Sequence, residues 1–110
     1  MTVMSTSALP DPLRKIFIED VQRAVAARYG IPVHTLSSSS REDATVWPRQ
    51  IAMYLARIIT RRSYPQIGAK FGGRDHTTVL HAYRKIETEM ANNSELREQM
   101  AELTSTILLG

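Results

Sequence analysis

The chain has 110 residues, a net charge of +3 and no cysteine, which allows one domain with one modest core and leaves no room for a catalytic ATPase domain beside it. Without thiols, disulfides, thiolate metal sites and a cysteine nucleophile are excluded, and the chain suits a reducing cytoplasm. No apolar run approaches the ~18 residues that a membrane span needs, and the stretch 1–10 lacks the basic and apolar regions of a signal peptide.

Residues 1–11 are small and polar and read as a flexible tail, leaving 12–110 as the folded domain. Asp11 and Pro12 have the order of a helix cap and first helical position, and Ile16 or Phe17, Val21, Val25 and Arg28 to Tyr29 follow at helical spacing. Gly30 stops that helix, with Pro32 just beyond. After a short element over 33–36, the stretch Ser37-Ser38-Ser39-Ser40-Arg41-Glu42-Asp43-Ala44-Thr45 has no apolar periodicity and is expected to be an exposed loop. Pro48 is expected to open the next helix, whose apolar face is Ile51, Leu55, Ile58 and Ile59.

Ser63 and Gln66 have capping-box spacing with Pro65 in the first turn, so a short helix is predicted from Tyr64. Its core residues are Ile67 and Phe71, and Gly68 between them suits close approach of a second helix. Gly72 and Gly73 end it. Val79, Tyr83, Ile86 and Met90 mark the buried side of a helix over about 75–90, Asn92 and Asn93 break the pattern, and a last helix from about Ser94 carries Leu96, Met100, Leu103 and Ile107.

Two helices joined by a glycine turn, the second beginning with polar residues, have the order of a helix-turn-helix. The first turn of the second helix meets base edges in the major groove, where short donors and acceptors belong. The charge pattern agrees. From Arg41 to Lys85, nine basic residues face three acidic ones (+6), whereas from Ile86 to Gly110 five glutamates face one arginine (−4). The middle segment is the polyanion-facing one, since each phosphate it neutralises releases condensed counterions.

The stretch from about Ile18 to Met90, with Pro48-Arg49-Gln50 and the run Gly72-Gly73-Arg74-Asp75-His76-Thr77-Thr78, resembles the C-terminal DNA-binding domain of the bacterial replication initiator DnaA. The resemblance implies an all-α bundle of five to six helices containing a Trp-repressor-like helix-turn-helix with a preceding loop. It also implies binding to double-stranded DnaA boxes of the TTATCCACA type, in replication initiation or its regulation, by a cytoplasmic, nucleoid-associated protein. Base reading would fall to Asp75, His76 and Thr77 in the major groove and to Arg41 in the minor groove. Contacts to the DNA backbone would fall to Arg49, Gln50, Arg57, Tyr64, Pro65 and Thr78.

The residue chemistry is compatible with these roles. A carboxylate at Asp75 can accept from a cytosine amino group, and His76 and the Thr77 methyl can meet thymine methyls or base acceptors. The duller alternatives are an N-cap for Asp75, a surface imidazole for His76 and solvated helix faces for Arg49 and Arg57. The loop departs from the family pattern, because four serines precede Arg41, Glu42 and Asp43 follow it, and Trp47 stands where a basic residue is common. Weaker binding or an altered box preference is expected from those carboxylates.

No G-x-x-x-x-G-K-[ST] phosphate loop occurs, so ATP hydrolysis is not expected of this chain, which reads as an excised domain or a standalone reader. An enzyme using Asp75, His76 and His81 is disfavoured, since the two histidines are five apart, off the i, i+4 spacing of paired ligands. No cofactor or metal is expected. The remaining alternatives, on the same fold with altered or lost box specificity, are a transcriptional regulator and a protein-interaction module with Trp47 and the terminal Ile107, Leu108 and Leu109 as contacts.

Overall fold

The computed structural model describes residues 15–110. The expected tail over 1–11 and the Asp11–Pro12 cap lie outside them. Among the described residues the fold is all-helical, with α1 (Ile18–Tyr29), a 3-10 turn (Val33–Ser37), α2 (Asp43–Thr60), α3 (Tyr64–Lys70), α4 (His76–Ala91) and α5 (Ser94–Leu109).

The first helix does not run on from Pro12. Residues 15–17 are non-helical, and the Phe17 backbone N–H donates to Asp20 Oδ2 at 2.8 Å, so Asp20 caps a helix that starts at Ile18. Gly30 ends it in the left-handed conformation, at φ 65°, as its sequence position implies.

Nor does Pro48 open α2. That helix begins at Asp43, and the Thr45 and Val46 N–H groups donate to the Glu42 carbonyl at 2.9 and 2.8 Å, so its first turn closes ahead of the proline. Pro48 removes only the bond that would return to the Ala44 carbonyl, in an exposed turn that water can serve, while its own ring is fully buried. Glu42 and Asp43, read from sequence as loop acids, therefore sit at a helix N-terminus, where carboxylates complement the unpaired N–H groups.

Helix α2 runs through the middle of the molecule, packed against α1 on one side and α4 on the other. Ile51, Ala52, Met53, Leu55 and Ala56 are buried. Ile58 is not on the core face as expected; it is 44% exposed, at the wall of an open groove it shares with Tyr54, Met90, Arg97 and Met100. In α4, Val79, Ala82 and Ile86 are buried; Met90 is half-buried against the core, and Tyr83 is half-buried against the Tyr54 and Tyr64 rings.

In α5, Leu96, Met100, Leu103 and Ile107 are buried at the expected spacing. Ile107, only 3% exposed, is thus a core residue and not a surface contact; Leu108 and Leu109 are exposed. Trp47 is half-buried against the core, with the Lys85 ammonium 5.7 Å from its ring centroid.

Candidate nucleic-acid interface

The helix-turn-helix is α3, the Gly72–Gly73 turn and α4. Ser63 and Gln66 form the capping box, with the Ser63 N–H donating to Gln66 Oε1 at 2.9 Å and the Gln66 N–H to Ser63 Oγ at 3.2 Å. Gly72 and Gly73 take φ of 81° and 72°, a region costly for a side chain. The Arg74 N–H then returns to the Gly68 carbonyl at 2.9 Å, which closes the turn onto α3.

The helix α4 emerges with Asp75, His76, Thr77 and Thr78 all exposed. Asp75 occupies the N-cap position, yet its side chain caps no backbone group. One carboxylate oxygen accepts from the Thr77 hydroxyl at 2.7 Å and the other lies 3.0 Å from His76 Nδ1. These contacts, the Thr77 hydroxyl first, hold the Asp75 carboxyl below its usual range. The three residues named as major-groove readers thus form one hydrogen-bonded set with lone pairs and N–H groups facing solvent.

The expected backbone-contact residues divide into a rim and a buried member. Arg57 lies with its guanidinium carbon 4.8 Å from the Tyr64 ring centroid and donates from Nη1 to the Arg62 carbonyl at 2.8 Å. Tyr64 packs edge-on against Tyr83 at 6.2 Å, and Tyr83 meets Tyr54 at 5.2 Å. Pro65 and Thr78 are exposed, and Gln50 is half-buried with no partner for its buried Oε1.

Arg49 is only 6% exposed. Its Nε donates to the Leu36 carbonyl at 3.1 Å and its Nη2 to those of Thr35 and Ser38 at 3.4 and 3.0 Å, so the guanidinium holds the serine loop from beneath. Burial, with the charge of Arg74 nearby, lowers its pKa from the ordinary arginine value. Arg41 is exposed, and with Ser37 to Ser40, Arg49, Gly72 and Arg74 it lines a shallow cup of about 390 Å³ that brings the loop beside the turn leading into α4.

Arg74 is the residue whose role sequence reasoning missed, counting it as a positive charge and as part of the motif run but giving it no contact. Its guanidinium turns away from the reading end and donates to the carbonyls of Phe71 and Ser38, the latter at 2.6 Å. Nothing in the linear pattern signals that reversal, since the acceptor lies 36 residues earlier.

Residues 18–86 match the family model described as bacterial dnaA protein helix-turn-helix. The chain belongs to the bacterial DnaA helix-turn-helix family. The DnaA chromosomal replication initiator of Nitrobacter hamburgensis is 52% identical over 91 residues, covering 83% of this chain and 19% of that protein. The protein of the same name from Bradyrhizobium sp. strain BTAi1 is 50% identical over 94 residues, covering 86% and 20%. The chain therefore spans about a fifth of the length of these DnaA relatives. Among the described residues, no helix is long and apolar enough to cross a membrane, and no group of three or more potential ligands could hold a metal ion.

Proposed function

We propose that the chain is a sequence-specific reader of double-stranded DNA, acting on DnaA-box-like sites in replication initiation or its control. The observation that carries this reading is the linked, exposed set Asp75, His76 and Thr77 on the first turn of α4, held rigidly by a turn closed onto α3. Donors and acceptors so placed suit base edges in a major groove. Thr78 beside the helix N-terminus, Arg57 on its tyrosine, Gln50, Tyr64 and Pro65 would meet the phosphates, and Arg41 would reach the adjoining minor groove. Arg49 serves in this reading from below the loop, with Nη1 left for a phosphate. Function would lie in the cytoplasm, at the nucleoid, without catalysis by this chain.

The test is titration of the chain against a duplex carrying a TTATCCACA-type box and a scrambled duplex, at two salt concentrations. Tight box-selective binding that falls as salt rises is expected. Equal, weak binding to both duplexes would count against base reading. Binding insensitive to salt would count against any phosphate-driven complex.

A further inference from the structure

Two guanidinium groups, from different elements, meet at one backbone oxygen. The Ser38 carbonyl accepts from Arg49 Nη2 at 3.0 Å and from Arg74 Nη2 at 2.6 Å. Neither arginine forms an ion pair with a carboxylate among the described residues, and both are partly withdrawn from water, so neutral carbonyl dipoles are their main compensation. With Arg41 on the rim of the same cup, three like charges crowd one concavity. Arg49 and Arg74 repel each other, and their shared acceptor offsets that repulsion.

At Ser38 the loop is also bonded locally, its N–H and hydroxyl donating to the Thr35 carbonyl at 3.1 and 2.7 Å, but few contacts tie it to other elements. From Ser37 to Glu42 no side chain enters the core, and the internal bonds are short-range ones, such as Ser40 N–H to Ser38 Oγ and Glu42 N–H to Ser40 Oγ, both at 3.3 Å. Ser37 is tied separately, through its hydroxyl to the Lys70 carbonyl at 3.1 Å. The segment carrying Arg41 thus runs between two anchors, the Ser38 carbonyl clamped by both arginines and the Glu42 carbonyl held by the first turn of α2. One jaw of that clamp, Arg74, is covalently next to Asp75 and so moves with the reading end of α4.

We propose that Arg74 is a positioning residue that, together with Arg49, locks the serine loop through the Ser38 carbonyl and thereby fixes Arg41 relative to Asp75, His76 and Thr77. Recognition at the base pairs Arg41 meets then depends on Arg74 although Arg74 touches no base. The consequence for DNA rests on the reading proposed above, whereas the clamp itself does not.

The experiment compares Arg74→Lys and Arg74→Met with the unaltered chain. Lysine keeps the charge but cannot bridge two carbonyls in the fork geometry of a guanidinium. In the DNA-free chain, amide hydrogen exchange over residues 39–42 is expected to rise roughly tenfold in both variants, about the effect of losing one charge-assisted hydrogen bond. On the box duplex both variants are expected to lose affinity equally, with Arg41→Ala adding little on top of Arg74→Met. If Arg74→Met fails to fold by circular dichroism, Arg74→Lys alone decides, through loop exchange and box affinity, since it keeps the charge and loses the fork. Unchanged loop exchange in the folded Arg74 variants overturns the clamp. Full rescue of binding by lysine also overturns the proposal, because Arg74 would then act as a simple phosphate cation. If the unaltered chain fails to discriminate box from scrambled duplex, the DNA reading falls, and the exchange measurement still decides the clamp.

Discussion

A Cβ placed on Gly68 would stand 2.1 Å from the backbone carbonyl oxygen of Arg74 and 3.5 Å from Val79 Cγ2. The turn of the helix-turn-helix is folded onto α3 at the one position without a side chain. Because the obstacle is backbone and not a flexible side-chain end, Gly68→Ala must open the turn. Destabilisation of about 1–3 kcal/mol is expected, the range for overpacking a well-filled site. Urea unfolding followed by circular dichroism checks it; an unchanged midpoint would show that the turn can move without loss.

Reading and positioning residues should separate in titrations. Thr77→Ala is expected to reduce the difference between box and scrambled duplex by about 1–3 kcal/mol while leaving the salt slope unaltered. Arg57→Ala should weaken binding to both duplexes alike and flatten the slope by roughly one phosphate equivalent. Parallel behaviour of the two variants would contradict the division of labour.

The ring of Tyr64 lies under the Arg57 guanidinium and is braced by Tyr83. An exposed cation over an aromatic face gains about 0.5–1 kcal/mol from the ring quadrupole, which here holds the arginine in place. Tyr64→Phe keeps that face and removes only the hydroxyl proposed to meet a phosphate, so it should weaken binding less than Tyr64→Leu, which loses both. Both losses should fall alike on every sequence. A Tyr64→Leu variant no weaker than Tyr64→Phe would mean that the ring does not position Arg57.

Much of this architecture was legible in the residues because the signals are local. The Ser63/Gln66 capping box, the Gly72–Gly73 turn and the spacing of Leu96, Met100, Leu103 and Ile107 each involve neighbours on one element, and each stands where its pattern placed it. The start of α2 was misplaced because Pro48 looks like a first-turn proline, whereas the helix tolerates it in its second turn by leaving one exposed carbonyl to water. Ile58 was misassigned because periodicity gives a face but not how far a neighbouring helix extends along it. The Arg49 and Arg74 bonds to Ser38 were invisible for a different reason. They join residues 11 and 36 positions apart through backbone carbonyls, which have no sequence signature.

The same loop supplies a further test at Gly72, whose added Cβ would stand 2.3 Å from the Ser37 carbonyl oxygen. Its φ of 81° is also unfavourable for a side chain. Gly72→Ala is expected to cost about 1–3 kcal/mol of stability and to displace the loop from the turn. Chemical shifts over residues 37–41 should move, while those of α5 stay in place. Perturbation spread evenly over the chain would instead point to global loosening.

Glu42 and Asp43 act in two opposed ways, and the balance can be measured. At the N-terminus of α2 they complement the helix dipole, worth about 0.3–1 kcal/mol each at low salt. Beside Arg41 they place negative charge near the surface proposed to meet phosphate. Glu42→Gln with Asp43→Asn should therefore lower the unfolding midpoint slightly and raise affinity for duplex DNA at low salt. Because exposed charges beyond about 10 Å are screened at 0.1 M salt, the gain in affinity should shrink as salt rises. A double variant less stable but no tighter on DNA would assign these carboxylates to the helix alone, and would place the loop's approach to the phosphates farther away than Arg41 requires.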